Sequence, residues 1–127
     1  MTDLALVSVL LLALLGGVGA ALRLVVDWLV NRRWRRAFPA ATLLVNVTGS
    51  FLIGVLSATV ATDHPDVFAV AATGFCGGYT TFSTAMVESV RLAREGAWRV
   101  AAWSAVGTLL LCVAAAAAGH LLGRALT

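Results

Sequence analysis

Polar side chains inside otherwise apolar stretches are the residues of this sequence most able to bind a ligand. Hydroxyl and amide groups donate and accept hydrogen bonds without a full charge, so they are suited to holding a small ion. Placing any of them in lipid is costly, and each therefore marks a candidate site. They form no paired-carboxylate or Ser–His set, and we predict no enzymatic activity. The candidates are Asn46, Thr48 and Ser50, then Thr73, Thr80, Thr81, Ser83, Thr84 and Glu88, and finally Ser104, Thr108 and His120.

The third apolar run contains the most informative pattern. Gly77 and Gly78 are adjacent, and each glycine weakens helix propensity by about 1 kcal/mol. Hydroxyl side chains follow at once and would bond the backbone groups that a broken helix leaves free. We predict two half-helices that meet near the membrane midplane, where carbonyl groups serve cations and amide groups serve anions. The alternative is that the two glycines only allow close helix packing, as we expect for Gly16 and Gly119 in the first and fourth runs.

Asn46 and Arg23 are polar residues whose roles the sequence leaves open. Asn46 lies well inside the second apolar run, and its amide either caps the predicted break or faces an ion pathway. Arg23 ends the first apolar run. It either draws anions into a vestibule or anchors at lipid headgroups, and anchoring is the commoner role of a residue in that position.

Four elements must carry these residues, and the composition indicates that they cross a membrane. Of the 127 residues, 61% are hydrophobic and 12% are charged, whereas soluble domains have about 45–50% and about 25%. This composition excludes an ordinary soluble enzyme and a disordered chain. A spanning helix needs about 20 apolar residues, and we predict spans at 4–22, 38–61, 67–90 and 100–122 in a single domain. The predicted fold class is an all-α membrane protein with four transmembrane helices, the third broken at Gly77-Gly78.

The placement of arginine predicts the orientation of the four spans. All nine basic residues are Arg, and eight of them lie in the first and third connections. By the positive-inside rule, both connections face the cytoplasm and both termini face outward. Nucleic-acid binding is set aside, because the Arg residues sit between apolar runs without an accompanying aromatic ladder. The two connections contain Arg23, Arg32, Arg33, Arg35, Arg36, Arg91, Arg94 and Arg99, and only Arg124 lies on the other side.

Three stretches of the sequence together carry a family resemblance. The first is Gly16-Gly17-x-Gly19-Ala20-x-x-Arg23, and the second is Thr42-Leu43-x-Val45-Asn46-x-x-Gly49-x-Phe51-x-x-Gly54. The third is Gly74-x-x-Gly77-Gly78-x-Thr80-Thr81-Phe82-Ser83-Thr84, followed by Glu88. These stretches resemble the motifs of the Fluc (CrcB) fluoride channels, and the resemblance covers all four spans in order.

The resemblance implies an antiparallel dimer of four-helix subunits with two fluoride pores and a structural Na⁺ at its centre. Backbone carbonyls of Gly77 and Thr80 would hold the Na⁺, a hard cation suited to oxygen ligands. Asn46 would line the pore as an amide donor, and Phe82 would offer its positive ring edge to the anion. The other implied path residues are Ser83, Thr84, Glu88, Ser104 and Thr108, with Arg23 in the vestibule.

The implied function is passive export of cytoplasmic fluoride through the plasma (inner) membrane, which lowers the toxicity of fluoride. The implied partners are the fluoride ion, membrane lipid and a second subunit, and no nucleic acid is among them. The alternative is a small four-span multidrug or cation exporter. Such a protein needs a carboxylate that faces its substrate, and Glu88 is the only acid inside a predicted span.

Two features of this sequence depart from the family pattern. The family usually has a second Phe three residues after the first, and this chain has Ala85 there. Homodimeric members insert in both orientations and need balanced charges, whereas the Arg placement here predicts one orientation. The dimer is therefore either a homodimer or a heterodimer with an oppositely oriented paralogue that supplies the missing ring.

Overall fold

Helices account for nearly all of the protein. The computed structural model describes residues 2–33 and 38–127, and no strand occurs within those ranges. Arg35 and Arg36, predicted to face the cytoplasm, lie outside the described residues. The helices are α1 (Thr2–Arg33), α2 (Ala40–Thr59), α3 (residues 65–79), α4 (Phe82–Arg94) and α5 (Trp98–Leu126).

Helix α1 is longer than its first apolar run predicts. The prediction ends the first span at Leu22, whereas α1 continues through Arg23 to Arg33. Arg is a good helix former, and apolar residues resume directly after it, so no local signal stops the helix there. Arg23 therefore lies inside α1 and not at its end.

Three helices in the described part of the chain are long and apolar enough to cross a membrane. They are Leu6–Arg33 within α1, then α2 and α5, with mean hydropathies of 2.4, 1.7 and 2.0. Many Leu and Val side chains of α1 and α5 are exposed, which suits contact with lipid. The remaining crossing consists of α3 and α4, which form one bent helix around a break.

Glycine contacts seat α5 directly against α2. A methyl group at Gly54 would overlap the carbonyl oxygen of Ala116, and a methyl group at Gly119 would overlap the carbonyl oxygen of Phe51. Membrane helices approach this closely only where their side chains are small. The packing role predicted for Gly119 is confirmed.

A second set of glycines seats α1 along α3. A methyl group at Gly78 would overlap the carbonyl oxygen of Gly16, and a methyl group at Gly19 would overlap the carbonyl oxygen of Phe75. Gly16, Gly19 and Arg23 follow one another at helical spacing on one face of α1. That face of α1 therefore follows α3 towards the point where α3 ends.

The predicted break in the third crossing is confirmed, but its predicted position at Gly77-Gly78 is wrong. Helix α3 has π-helical hydrogen bonding over Ala69–Cys76, and Gly77 keeps helical angles of φ −62° and ψ −38°. The backbone becomes extended only at Thr80 and Thr81, whose ψ angles are 163° and 119°. Thr is β-branched and favours extended backbone over helix. Close packing, the alternative interpretation of the glycine pair, is the role the structure shows for Gly78.

Candidate functional site at the helix break

Asn46 of α2 holds both backbone groups of Thr81. Its Nδ2 donates to the Thr81 carbonyl oxygen at 2.8 Å, and its Oδ1 accepts from the Thr81 N–H at 2.7 Å. Because the N–H only donates and the carbonyl only accepts, this pairing fixes the orientation of the amide. Asn46 is 8% exposed. Of its two predicted roles, capping the break is confirmed.

Thr81 is also the N-cap of α4. Its Oγ1 accepts from the Thr84 N–H at 3.2 Å and donates to Thr84 Oγ1 at 3.0 Å. The N–H groups of Phe82 and Ser83, in the first turn, have no acceptor inside the helix, and they lie at the positive end of its dipole. This side of the break offers hydrogen-bond donors, which is the chemistry that an anion requires.

The other side of the break presents backbone carbonyl groups. In a continuous helix the Gly77 carbonyl would accept from the Thr81 N–H, but that N–H donates to Asn46. The Thr80 carbonyl accepts from Arg23 Nη1 at 3.2 Å and keeps a second lone pair. Both oxygens are neutral, hard ligands. The Gly77 and Thr80 carbonyls therefore have the chemistry to hold Na⁺.

A cavity of about 230 Å³ opens beside the break, between α2, α4 and α5. It brings together three of the predicted pore residues, Asn46, Phe82 and Thr108, from three different helices. Ser50, a candidate polar residue for which no place in the anion path was predicted, lines the same cavity. The available signal was its spacing, because a residue four positions after Asn46 lies on the same helix face.

Phe82 and Ala85 have opposite environments on α4, although both line the cavity. Phe82 leaves 78% of its surface exposed, whereas Ala85 is 7% exposed. Val87 and Val90 extend the exposed apolar surface along α4. Exposed apolar side chains of this kind contact either lipid or another protein chain.

Four further residues predicted for the anion path do not line this cavity. Ser83 and Thr84 are exposed in the first turn of α4, and Ser104 is buried on α5. Glu88 lies farther along α4, and its buried Oε2 has no hydrogen-bond partner in the part of the chain that the structure describes. Their roles in an anion path stay predictions.

Tyr79 and Gly49 fix the end of α3 against α2. The Tyr79 ring stacks on Phe75 with 5.8 Å between centroids, and its hydroxyl lies 3.1 Å from Thr48 Oγ1. A methyl group at Gly49 would overlap Thr80 Cγ2, so a glycine there allows α2 to approach the break. Helices α1 and α2 therefore position the break together.

These features define a multi-pass helical membrane protein whose broken helix offers ligands for small ions. Residues 10–120 match the model of the family described as CrcB-like protein, Camphor Resistance (CrcB), and the chain belongs to that family.

Three relatives in this family are named as fluoride channels. "Fluoride-specific ion channel FluC 1" of Leifsonia xyli subsp. xyli is 46% identical over 118 residues, covering 91% of this chain and 85% of that protein. "Fluoride-specific ion channel FluC 2" of Mycolicibacterium paratuberculosis is 44% identical over 112 residues, covering 88% and 90%. "Fluoride-specific ion channel FluC 1" of Listeria innocua serovar 6a is 41% identical over 119 residues, covering 93% and 98%.

Proposed function

We propose that this chain is a subunit of a fluoride-specific ion channel that carries cytoplasmic fluoride passively out of the cell. The observation that carries the proposal is the cavity at the break, where Asn46, Phe82 and Thr108 converge. The names of the relatives support fluoride as the ion. Passive conduction makes the protein a channel and not an enzyme, and its effect is to lower the toxicity of fluoride.

Neutral hydrogen-bond donors are the basis of fluoride binding in this proposal. Fluoride is small and strongly hydrated, so a pore must replace the lost water with donors. Asn46 Nδ2 has two hydrogens and uses one on Thr81, which leaves the second for the ion. The Thr108 hydroxyl is another donor, and the Phe82 ring presents its positive edge. Because none of the described residues that line the cavity carries a full positive charge, the ion is bound weakly enough to leave.

The membrane potential supplies the direction of flow. Hydrogen fluoride enters the cell as a neutral weak acid and dissociates in the cytoplasm. An inside-negative potential then drives the anion outward, at about 2.3 kcal/mol per 100 mV for one charge. We place the chain in the plasma membrane with its Arg-rich connections inside and its termini outside, following the positive-inside rule.

An antiparallel dimer completes the site in this proposal. Phe82 is largely exposed and Gly77 is exposed beside the break, which supports a second subunit that covers both residues. The carbonyls of Gly77 and Thr80 from the two subunits would hold a structural Na⁺. When bound, that ion supplies positive charge at the carbonyl ends of the broken helices, and it is not transported.

The Arg placement and Ala85 favour a heterodimer. Eight of nine Arg residues on one side favour one orientation, whereas an antiparallel homodimer needs both. An oppositely oriented paralogue would also supply the second ring, which this chain lacks at Ala85. A homodimer is the alternative.

Fluoride efflux from liposomes tests the channel and the dimer together. We expect the chain reconstituted with its paralogue to release fluoride and not chloride, and the chain alone to release little. Strong efflux from the chain alone would overturn the heterodimer and keep the channel. Absence of fluoride efflux from both preparations would overturn the channel, and proton-coupled drug uptake in its place would support the exporter.

A further inference from the structure

Arg23 reaches the break from α1. Its Nη1 donates to the Thr80 carbonyl oxygen at 3.2 Å, and the two residues are 57 positions apart in the chain. Headgroup anchoring does not account for a half-buried guanidinium bonded to a backbone carbonyl of another helix. We propose that Arg23 is a positioning residue that holds the shape of the helix break. This inference deepens the proposed function by assigning a second role to a residue predicted for the vestibule.

The packing of α1 explains how the guanidinium reaches Thr80. Gly16 lies against Gly78, and Gly19 lies against Phe75 and Tyr79. Arg23 is the next residue on that face, one turn after Gly19. Because this face of α1 follows α3 to the last residue of α3, Arg23 is the first long side chain after Gly19 on that face. It meets Thr80, the first residue beyond α3.

The Thr80 carbonyl lies at a position where a cation is favoured. Thr80 is the C-cap of α3 and has extended backbone angles of φ −80° and ψ 163°. The last carbonyls of a helix have no N–H donor within the helix, and they form the negative end of the helix dipole. They therefore favour a positively charged donor. In a membrane such a carbonyl needs a partner other than lipid; Arg23 supplies one, and the second lone pair stays available to the proposed Na⁺.

Each of the two extended residues at the break is therefore held by one side chain. Arg23 of α1 bonds Thr80, and Asn46 of α2 bonds both backbone groups of Thr81. The two side chains come from different helices and hold consecutive residues. Removing the guanidinium leaves the Thr80 carbonyl without its side-chain partner. We therefore expect the hydrogen bonds of the neighbouring Thr81 and Thr84 amides to break more often.

A positioning role and a purely electrostatic role respond differently to salt. Attraction of an anion by an exposed charge is screened, with a Debye length of about 10 Å at 0.1 M and about 3 Å at 1 M salt. A hydrogen bond between a half-buried guanidinium and a backbone carbonyl is screened much less. Salt dependence therefore separates the two roles.

Hydrogen exchange of the break tests the positioning role directly. In Arg23→Met, we expect the amide hydrogens of Thr81 and Thr84 to exchange about tenfold faster than in wild type, since a charge-assisted hydrogen bond is lost. Arg23→Lys keeps a charged donor on a long stem and should restore most of the protection. Arg32→Met is the matched control, because it removes the same charge from α1 where the guanidinium lies 5.0 Å from the Trp28 ring centroid. We expect no change in exchange there.

Unchanged exchange at the break in Arg23→Met would overturn the inference. Should that variant not purify in folded form, Arg23→Gln is measured instead, and unchanged exchange there has the same meaning. The exchange experiment needs no transport, so its result stands even where the proposed fluoride channel fails. In a conducting preparation, a loss of flux in Arg23→Met that persists from 0.1 to 1 M inert salt supports positioning, whereas a loss that vanishes at 1 M overturns it.

Discussion

The neutral side chain of Asn46 bonds the backbone groups that the helix break leaves free, and it also lines the cavity beside the break. The need of Asn46 for a polar partner was predictable, because an amide inside an apolar run is costly in lipid without one. Its partner was not predictable, since Thr81 lies on another helix and only the fold brings the two together. Arg23 ends the first apolar run, but α1 continues past it to Arg33, so the contact of Arg23 with Thr80 was not predictable from the run alone.

Replacing Asn46 with Leu should destabilise the protein and stop conduction. The change keeps the side-chain size but leaves the N–H and carbonyl of Thr81 without partners, at about 1–3 kcal/mol for each group. Asn31→Leu is the matched control, because the Asn31 amide bonds Asp27 on the exposed surface of α1. Thermal unfolding in detergent measures both variants. Equal shifts in melting temperature would contradict the role of Asn46 as a cap.

Thr108→Val tests whether the cavity hydroxyl contacts the ion. The substitution removes one donor with little change in shape, and we expect fluoride flux to fall about tenfold, as for the loss of one hydrogen bond. Thr59→Val is the control, since that hydroxyl bonds the Val55 carbonyl within α2 and does not line the cavity. Recordings of fluoride efflux from liposomes compare the two variants. A flux in Thr108→Val equal to that in the control would remove Thr108 from the ion path.

Among the elements, the broken helix shows which part of the fold local sequence predicts. Glycine propensity and the following hydroxyl residues predicted that the third crossing is interrupted. They did not predict the position, because Gly78 is required for contact with α1 and the backbone opens where Asn46 and Arg23 supply partners. Tertiary partners therefore decided the position of the break, and propensity decided only that a break was possible.

Two glycines of α1 provide a matched test of helix packing. Gly19→Ala should destabilise the protein by about 1–3 kcal/mol, because a methyl group there meets the backbone of Phe75 and Tyr79. Gly17 has no neighbour within 4 Å of an added methyl group among the described residues, and Gly17→Ala should stabilise α1 by up to about 1 kcal/mol. Thermal unfolding measures both. Equal stabilisation by the two substitutions would show that helix propensity, and not contact with α3, decides the effect at Gly19.

For the whole molecule, composition was enough to predict a helical membrane protein, and motif resemblance was enough to predict the family. The arrangement of subunits is a property of two chains, so a single sequence constrains it only through charge placement and through positions such as Ala85. The exposed Phe82 and the buried Ala85 supply the structural counterpart of that constraint. Phe82 lies on a surface that is available to a partner subunit, whereas Ala85 lies on a surface that the chain itself covers.

Orientation in the membrane should be single, because it follows the placement of the Arg residues. Reporters fused to the C-terminus should be found on the outer side only, because eight of nine Arg residues favour the opposite side. Changing Arg91, Arg94 and Arg99 to Gln leaves five Arg residues against one, so the orientation should stay single. Equal reporter signal on both sides in the wild-type protein would contradict a fixed orientation.

The contacts at the break also bear on the order in which the chain is assembled. The backbone groups of Thr80 and Thr81 are bonded by Arg23 and Asn46, and both of these side chains are synthesised earlier. A membrane offers no water to pair those groups in the meantime. During biosynthesis, α1 and α2 would therefore have to be inserted before the third crossing could leave the insertion machinery. The broken helix would then fold against these two earlier helices.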